Sequence, residues 1–563
     1  LLLWTKLNLK KVMLLFLIVR AEETRIWILI LIILNYNFLR LVNKLLTMKQ
    51  LKIILLFSII FFYSCNKDNE PKKSERLNVL FLIADDLNCD LGAYHHPKVI
   101  SPNIDKLASE GILFENAHNQ YPLCGPSRAS FMTGMYPDQT KITRNNVLIR
   151  TTIPDVVTLG QRFRQQGYKS VRIGKIYHYD NPSSIGTSSA DDIFTWDYTI
   201  NPYGRDKDEE YKINTLKERQ YGGTLSWLAA EGSDEEQTDG IGASEAIEQI
   251  EKFSKSGQNF FLAVGMYRPH VPFVAPKKYF DMYDRDEIII PYTGLSNEYL
   301  NSIPEPAAKS IRVQWNNQIQ LNLKSNLKLA QEIKEAYFAT TTFVDAQIGR
   351  IINKLKMTGL DKNTVIVFTS DHGYHLGEHG YWQKQTLFEN ATRIPLIFSG
   401  PGIGSNLRSN SPVEMIDIYP TLMELTNIEK PDNVVGNSLV PIFKDQNHKI
   451  RNTALTQLRN GYTIKSDRFR LTKWGKIGEY GYELYDHKND RDELINLAND
   501  KNYFTILDSL KKELDLRVSS SRQKPSGIGR QFEQMSYRKA PNITPGDKYD
   551  KNGKRIYFKK TNE

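Results

Sequence analysis

Apolar runs that stop abruptly at acidic residues set the pattern of this chain. Asn78-Val79-Leu80-Phe81-Leu82-Ile83-Ala84 is almost continuously apolar and predicts a strand buried on both faces, as in a parallel sheet. It runs straight into Asp85-Asp86. A second run, Val365-Ile366-Val367-Phe368 within 364–369, leads through Ser370 into Asp371-His372, and Phe260-Phe261-Leu262-Ala263-Val264 is a third. Apolar positions 104, 107 and 108 mark the start of a helix at Ser101-Pro102. Residues 333–357 predict a long helix carrying Phe343, Ile348, Ile351 and Leu355. Strands that end in polar groups suit an open α/β sheet, where ligands sit beyond the carboxyl ends.

Near Pro431 the pattern changes. Thr463-Ile464, Phe469-Arg470-Leu471-Thr472 and Glu483-Leu484-Tyr485-Asp486 predict short strands, and residues 502–516 a closing helix. The expected organisation is a main domain over 76–430 and a smaller α+β subdomain over 431–516. A tail over 517–563 is either loose or wrapped on the body. No internal repeat is evident.

The first 75 residues carry no such pattern. Residues 1–47 hold long apolar runs, but Met48-Lys49-Gln50-Leu51-Lys52 opens a basic n-region followed by the apolar stretch 53–63. That stretch is too short to span a bilayer comfortably. It ends in Phe62-Tyr63-Ser64-Cys65, which resembles a bacterial lipobox. The expectation is therefore that 1–47 is translated upstream sequence, 48–64 a lipoprotein signal peptide, Cys65 the lipidated residue that anchors the protein to a membrane, and 65–75 a polar tether. An exported lipoprotein of the outer membrane or cell surface follows, with a periplasm-facing form as the alternative.

Charge changes the picture little once this leader is set aside. Nine basic and two acidic residues precede Cys65, so the formal +10 of the full chain falls to about +3 for 65–563. That balance makes no case for nucleic acid. Three cysteines are present, Cys65, Cys89 and Cys124. With Cys65 lipidated and Cys124 committed to chemistry, Cys89 has no partner for a disulfide, and the core must hold by packing alone.

Two features carry chemistry. Paired carboxylates directly after a buried strand are costly unless a cation takes them. Asp85-Asp86 and Asp371-His372 together fit an oxygen-rich site for a hard divalent ion. The second feature is Cys124-Gly125-Pro126-Ser127-Arg128, continuing through Ala129-Ser130 to Thr133-Gly134, with cysteine two residues before proline and four before arginine. His95 and His96 invite a metal reading, but a surface or pocket-rim role suits them better. His375 and His379 stay outside the first set of ligands, and Cys89 is expected to be inert.

These motifs resemble the formylglycine sulfatases of the alkaline phosphatase superfamily, and most closely the iduronate-2-sulfatase branch. The resemblance covers about 76–500 in family order. It takes in the strand ending at Asp85-Asp86, the Cys124–Arg128 motif and Gly174-Lys175-Ile176-Tyr177-His178. It continues through Tyr267-Arg268-Pro269-His270-Val271-Pro272, Ser370-Asp371-His372-Gly373 and Gly377-Glu378-His379-Gly380 with Lys384. It closes on Glu483-Leu484-Tyr485-Asp486 with Asn496-Leu497. Two departures from the broad family fit that branch: Lys175 and His178 are three apart rather than two, and the second metal pair is Asp-His rather than Asp-Asn.

The resemblance implies a large alkaline-phosphatase-like α/β sandwich with a central mixed, mostly parallel sheet flanked by helices, plus a C-terminal subdomain with an antiparallel sheet. It implies oxidation of Cys124 to formylglycine (3-oxoalanine) by a maturation enzyme. Asp85, Asp86, Asp371, His372 and residue 124 are the expected ligands of one calcium ion, magnesium being the alternative. Arg128 and Lys175 are expected to hold the aldehyde hydrate, His270 with Lys384 to protonate the leaving oxygen, and His178 to take the proton of the second hydroxyl. The substrate implied is a sulfated oligo- or polysaccharide bearing a 2-O-sulfated uronate or related sugar, from a glycosaminoglycan or an algal glycan such as ulvan. A phosphoester hydrolase on the same scaffold and a non-catalytic glycan-binding lipoprotein are the alternatives.

Overall fold

The computed structural model describes residues 76–217, 220–291, 296–311 and 326–535. The expected leader, signal peptide, Cys65 and tether lie outside them. Among the described residues no helix is long and apolar enough to cross a membrane.

The strands of the central sheet are, in chain order, β1 (Asn78–Ala84), β2 (Gly111–Phe114), β3 (Lys169–Gly174), β4 (Tyr198–Ile200), β5 (Phe260–Met266), β6 (Thr364–Ser370), β7 (Leu396–Ser399) and β8 (Leu407–Ser409). They lie in the order β8-β2-β7-β6-β1-β5-β3-β4. All neighbours pair in parallel except that β7 runs antiparallel to both β6 and β2. The three strands expected from apolar runs are the three at the centre, and every residue of each is buried.

Period-two alternation divides β1 between two cores. Val79, Phe81 and Ile83 face one layer, which includes Phe131, Phe163 and Phe261; Leu80, Leu82 and Ala84 face the other. The second layer is built on helices α1 (Pro102–Ser109), α3 (Thr238–Ser256) and α4 (Leu327–Met357). Ile104, Leu107, Ile250, Ile348 and Ile351 meet the sheet there at helical spacing. The first layer receives α2 (Cys124–Thr133) through Ala129, Phe131 and Met132.

Register brings the chemistry to one edge. Ala84 pairs with Ser370 on one side and Met266 on the other, and Gly174 pairs with Gly265. The residues just past these positions, Asp85, Asp371, Tyr267 and Lys175, therefore leave the sheet at one level. Gly174 has φ of +69°, and a Cβ there would lie 2.1 Å from the Gly265 carbonyl oxygen, so glycine is required where the chain turns to present Lys175.

A four-stranded antiparallel sheet follows: β9 (Ala454–Leu458), β10 (Gly461–Lys465), β11 (Phe469–Trp474) and β12 (Tyr482–Asp486). Helix α5 (Phe504–Ser521) packs on it through Leu507, Leu514 and Val518. On the other side Leu458, Trp474 and Tyr485 pack against Tyr121, Tyr381 and Phe388, which flank the strand-end site. The chain beyond α5 wraps the body as far as it is described. Ile528 is buried, Arg530 pairs with Asp155 at 2.7 Å, and the Phe532 amide donates to the Thr152 carbonyl at 2.8 Å.

Candidate active site

Arg128 is the fully buried hub of the site. Its Nε donates to Asp371 Oδ2 at 2.8 Å and its Nη2 to Asp85 Oδ1 at 2.9 Å. Its Nη1 donates to the carbonyls of Lys175 and Ile176 at 2.7 and 2.9 Å. One guanidinium thus ties together the ends of β1, β3 and β6, a task its rigid fork suits. Lys175 Nζ likewise sits on Asp85 Oδ2 at 2.5 Å. Burial raises the Asp85 carboxyl, but the Lys175 and Arg128 cations outweigh it and hold the group well below the usual carboxylate range.

Asp86 turns back from β1 with φ of +62°, a region that non-glycine residues seldom occupy. Its amide donates to Asp371 Oδ1 at 3.1 Å, and its carbonyl accepts from the Tyr337 hydroxyl at 2.9 Å. The same hydroxyl accepts from the Asn88 amide at 2.9 Å. Burial raises the carboxyl of Asp86, opposed by Lys384 and His372. Lys384 Nζ lies 2.6 Å from both Asp86 oxygens and 3.6 Å from Cys124 Sγ. It is flanked by Gln383 and Gln385 at φ of +107° and +70°. The backbone there is pinned by Tyr381, whose hydroxyl donates to the Lys384 carbonyl at 2.8 Å, and by the Gln385 amide on the Pro122 carbonyl at 3.2 Å. Such strain persists only where surroundings enforce it.

Cys124 opens α2 and is buried. Its Sγ lies 3.3 Å from His372 Nε2 and 3.9 Å from Asp86 Oδ1. His372 Nδ1 is 3.0 Å from the Gly373 carbonyl, which can only accept, so that nitrogen carries the proton. In the neutral ring the Nε2 lone pair then faces Asp86 Oδ1 at 3.3 Å and Asp371 Oδ2 at 3.6 Å. The potential ligand atoms fall in two buried groups that share Cys124, one of Asp85, Asp86, Cys124 and His270 and one of Cys124, Asp371 and His372, and their three carboxylates suit a divalent cation.

Two histidines stand around this centre. His270 Nε2 is 3.8 Å from Asp86 Oδ2, while its Nδ1 donates to the Val271 carbonyl at 2.5 Å. Burial, then Lys384, lowers its pKa well below the ordinary histidine value, so in this state the ring is neutral with its lone pair toward the site. Its loop is braced by residues that carry no motif. Asp239 accepts from the Tyr267 and Arg268 amides at 2.8 and 3.0 Å, and Asp206 takes Arg268 Nη2 at 2.8 Å. His178 makes no hydrogen bond to another expected site residue; its Nε2 is 3.2 Å from Asp180 Oδ1. Its ring nevertheless lies within the field of Lys175, Asp85, Arg128 and Lys384.

The ten expected residues are thus gathered at one edge of the sheet, His178 joining by field rather than by contact. The residues set aside fall elsewhere. His95 is exposed, and His96 packs edge-on against Phe338. His375 is bonded to Thr386 and His379 to Tyr299, both buried among aromatic rings. Cys89 and Cys124 are both free of disulfides. A separate Glu389–His487–Glu493 cluster is closed by Arg470, which pairs with both glutamates.

The sulfatase family model matches residues 77–428, and the C-terminal model of N-sulphoglucosamine sulphohydrolase matches 377–520. The chain belongs to the sulfatase family. It is 34% identical to a sulfatase of Formosa agariphila over 80% of this chain and 89% of that protein. It is 32% identical to human iduronate 2-sulfatase over 64% of this chain and 70% of that protein. Among solved structures, a phosphonate monoester hydrolase from Silicibacter pomeroyi superposes with a TM-score of 0.66 at 23% identity, covering 80% of this sulfatase and 96% of that chain. That likeness bears out the alkaline-phosphatase-like fold. The family assigns this protein to the sulfuric ester hydrolases.

Proposed function

We propose that this sulfatase hydrolyses sulfate esters on sugars of a sulfated polysaccharide or its oligosaccharides, with residue 124 acting as formylglycine beside one calcium ion. The observation that carries the reading is the placement of Cys124. Its Sγ stands beside His372 Nε2, Lys384 Nζ and the Asp86 carboxylate, and Cys124 is common to both buried groups of candidate ligands at the strand ends. The resemblance to human iduronate 2-sulfatase supports a 2-O-sulfated uronate or a related sugar as substrate.

Asp85, Asp86, Asp371 and His372 would hold the ion. Conversion of Cys124 supplies an oxygen nucleophile in hydrated form, and the ion supplies Lewis acidity and a template for the sulfate. Arg128 and Lys175 keep Asp85 ionised and aimed. Lys384 neutralises charge where the sulfate arrives, in a pocket where water is scarce. An anionic ester beside His270 favours its protonated form, and that imidazolium gives its proton to the leaving sugar oxygen. His178, neutral, takes a proton when sulfate is released. The same reading makes the protein an exported lipoprotein anchored through Cys65, matured by a formylglycine-generating enzyme and facing polymer outside the cell.

Two measurements test this. The mass of the peptide bearing residue 124 reports conversion to the aldehyde. A panel of defined oligosaccharides from glycosaminoglycans and ulvan, each with sulfate at a known position, reports the substrate. An unmodified thiol in active enzyme would overturn the nucleophile. Release from aryl sulfates but from no sulfated sugar would overturn the substrate class.

A further inference from the structure

We propose that Asp180 is a positioning residue for His178: it holds the ring proton on Nε2 and so makes Nδ1 the nitrogen that accepts a proton at residue 124. The inference rests on the formylglycine reading above and assigns the working atom of one histidine within it.

The two residues sit on the loop that leaves β3. Asp180 Oδ1 is 3.2 Å from His178 Nε2. A carboxylate oxygen can only accept, so Nε2 carries hydrogen, and the neutral ring has its lone pair on Nδ1. Nδ1 is buried and has no hydrogen-bond partner among the described residues. A buried nitrogen left without a partner is unfavourable unless a donor arrives when the site is at work. Burial, and then the Lys175 ammonium, keep the ring neutral, the form a base needs.

Asp180 is suited to the task. Its carbonyl accepts from the Ser184 amide at 2.6 Å, closing a turn that fixes its backbone. Its side chain is 31% exposed against 8% for His178, so the carboxylate bears little desolvation cost while the imidazole is shielded. When Nδ1 gains a proton, the charge appears opposite a carboxylate already in place, the logic by which an aspartate supports histidine in a Ser-His-Asp triad. The proton comes from the remaining hydroxyl of residue 124. The electron pair it leaves closes the carbonyl as the bond to the departing sulfate oxygen breaks, and no oxidant or reductant is involved.

The test uses the full chain with ¹⁵N-labelled histidine, its His178 signals assigned by their loss in His178→Ala. With residue 124 still cysteine, wild-type His178 is expected to show hydrogen on Nε2 and a bare Nδ1. Asp180→Ala should lose that preference, and Asp180→Asn, which keeps an accepting oxygen, should restore part of it. In converted enzyme turning over an aryl sulfate, Asp180→Ala should lower kcat about tenfold or more and lower KM with it, leaving kcat/KM little changed, because breakdown of the sulfated residue becomes the slow step. Sulfated residue 124 should then accumulate in the mass spectrum. Hydrogen on Nδ1 in the wild type would overturn the proposal, as would an Asp180→Ala variant with unchanged tautomer or unchanged kcat. Failure of wild-type enzyme to release sulfate from any ester would overturn the proposed function instead, because the tautomer is read on unconverted protein.

Discussion

The hydroxyl of Tyr337 donates to the carbonyl of Asp86, 251 residues away, and the same oxygen accepts the amide two residues further on. A helix in one core layer thereby holds the turn that carries a metal-binding candidate, at a residue whose φ is positive. Tyr337→Phe removes the hydroxyl and leaves a buried amide and a buried carbonyl unpaired. The expected cost is about 1–3 kcal/mol of stability. Calcium should also protect the variant less against thermal unfolding than it protects the wild type. Equal protection by calcium in both proteins would show that the turn holds without Tyr337.

Cys124→Ala should reduce sulfate release to background while leaving the unfolding transition close to that of the wild type. The thiol is buried at the start of α2, and alanine fills part of its space without new bulk. Cys124→Ser should also be inactive where the maturation enzyme accepts only cysteine. Substantial turnover by the alanine variant would refute a nucleophile at this position.

Exhaustive chelation should abolish activity, and calcium should restore it better than zinc. The expected ligands Asp85, Asp86, Asp371 and His372 are three carboxylates and one imidazole, a predominantly oxygen donor set that suits a hard ion with flexible coordination. Activity that survives chelation, or that returns best with zinc, would count against the assigned site.

Much of this site was legible from sequence because buried strands that end in acids leave few solvated alternatives. Asp85-Asp86 and Asp371-His372 stood out for that reason. What joins them did not. Arg128 lies in a recognisable motif, yet its partners are Asp85, Asp371 and two carbonyls of β3's exit, and they depend on sheet order. Tyr337 looks like any core position of an amphipathic helix, and Asp206 and Asp239 like solvated acids. Strand β9 was missed because Ala454-Leu455-Thr456-Gln457-Leu458 is short and interleaves polar residues that are all buried. Long-range pairing gives such residues their roles, and no local pattern encodes it.

Glu483 should make stability fall as pH rises. It is buried in β12, accepts from Trp474 Nε1 at 2.6 Å and lies 2.8 Å from the Tyr485 hydroxyl. Burial raises its pKa from 4.5 to about 7. A carboxyl raised on folding contributes stability that is fully present below its unfolded pKa and is lost as pH rises through its folded one. The window is therefore about pH 4.5 to 7, and the loss above it is up to about 3 kcal/mol. Glutamine mimics the protonated acid, with an oxygen for Trp474 and an amide for Tyr485. Glu483→Gln should remove this dependence and stabilise the protein at pH 8, as read from urea unfolding at pH 5 and 8. A variant less stable than the wild type at pH 8 would show that the charged form is the one the fold prefers.

His270 offers the sharpest test of the leaving-group chemistry. Its loop is fixed by Asp239 and Asp206, and its Nε2 lies near Asp86, beside residue 124. Because Nδ1 is committed to the Val271 carbonyl, only Nε2 can pass a proton to substrate, and it must first gain one. A sugar alkoxide leaves poorly and needs that proton; a nitrophenolate does not. His270→Ala should therefore lower kcat on a sulfated sugar by about 10² to 10⁴-fold and on nitrophenyl sulfate by far less. If His270 only binds sulfate, both substrates should lose rate alike, since both present the same sulfate to the same place. Equal losses on the two substrates would remove His270 from the role of acid and leave it a binding residue.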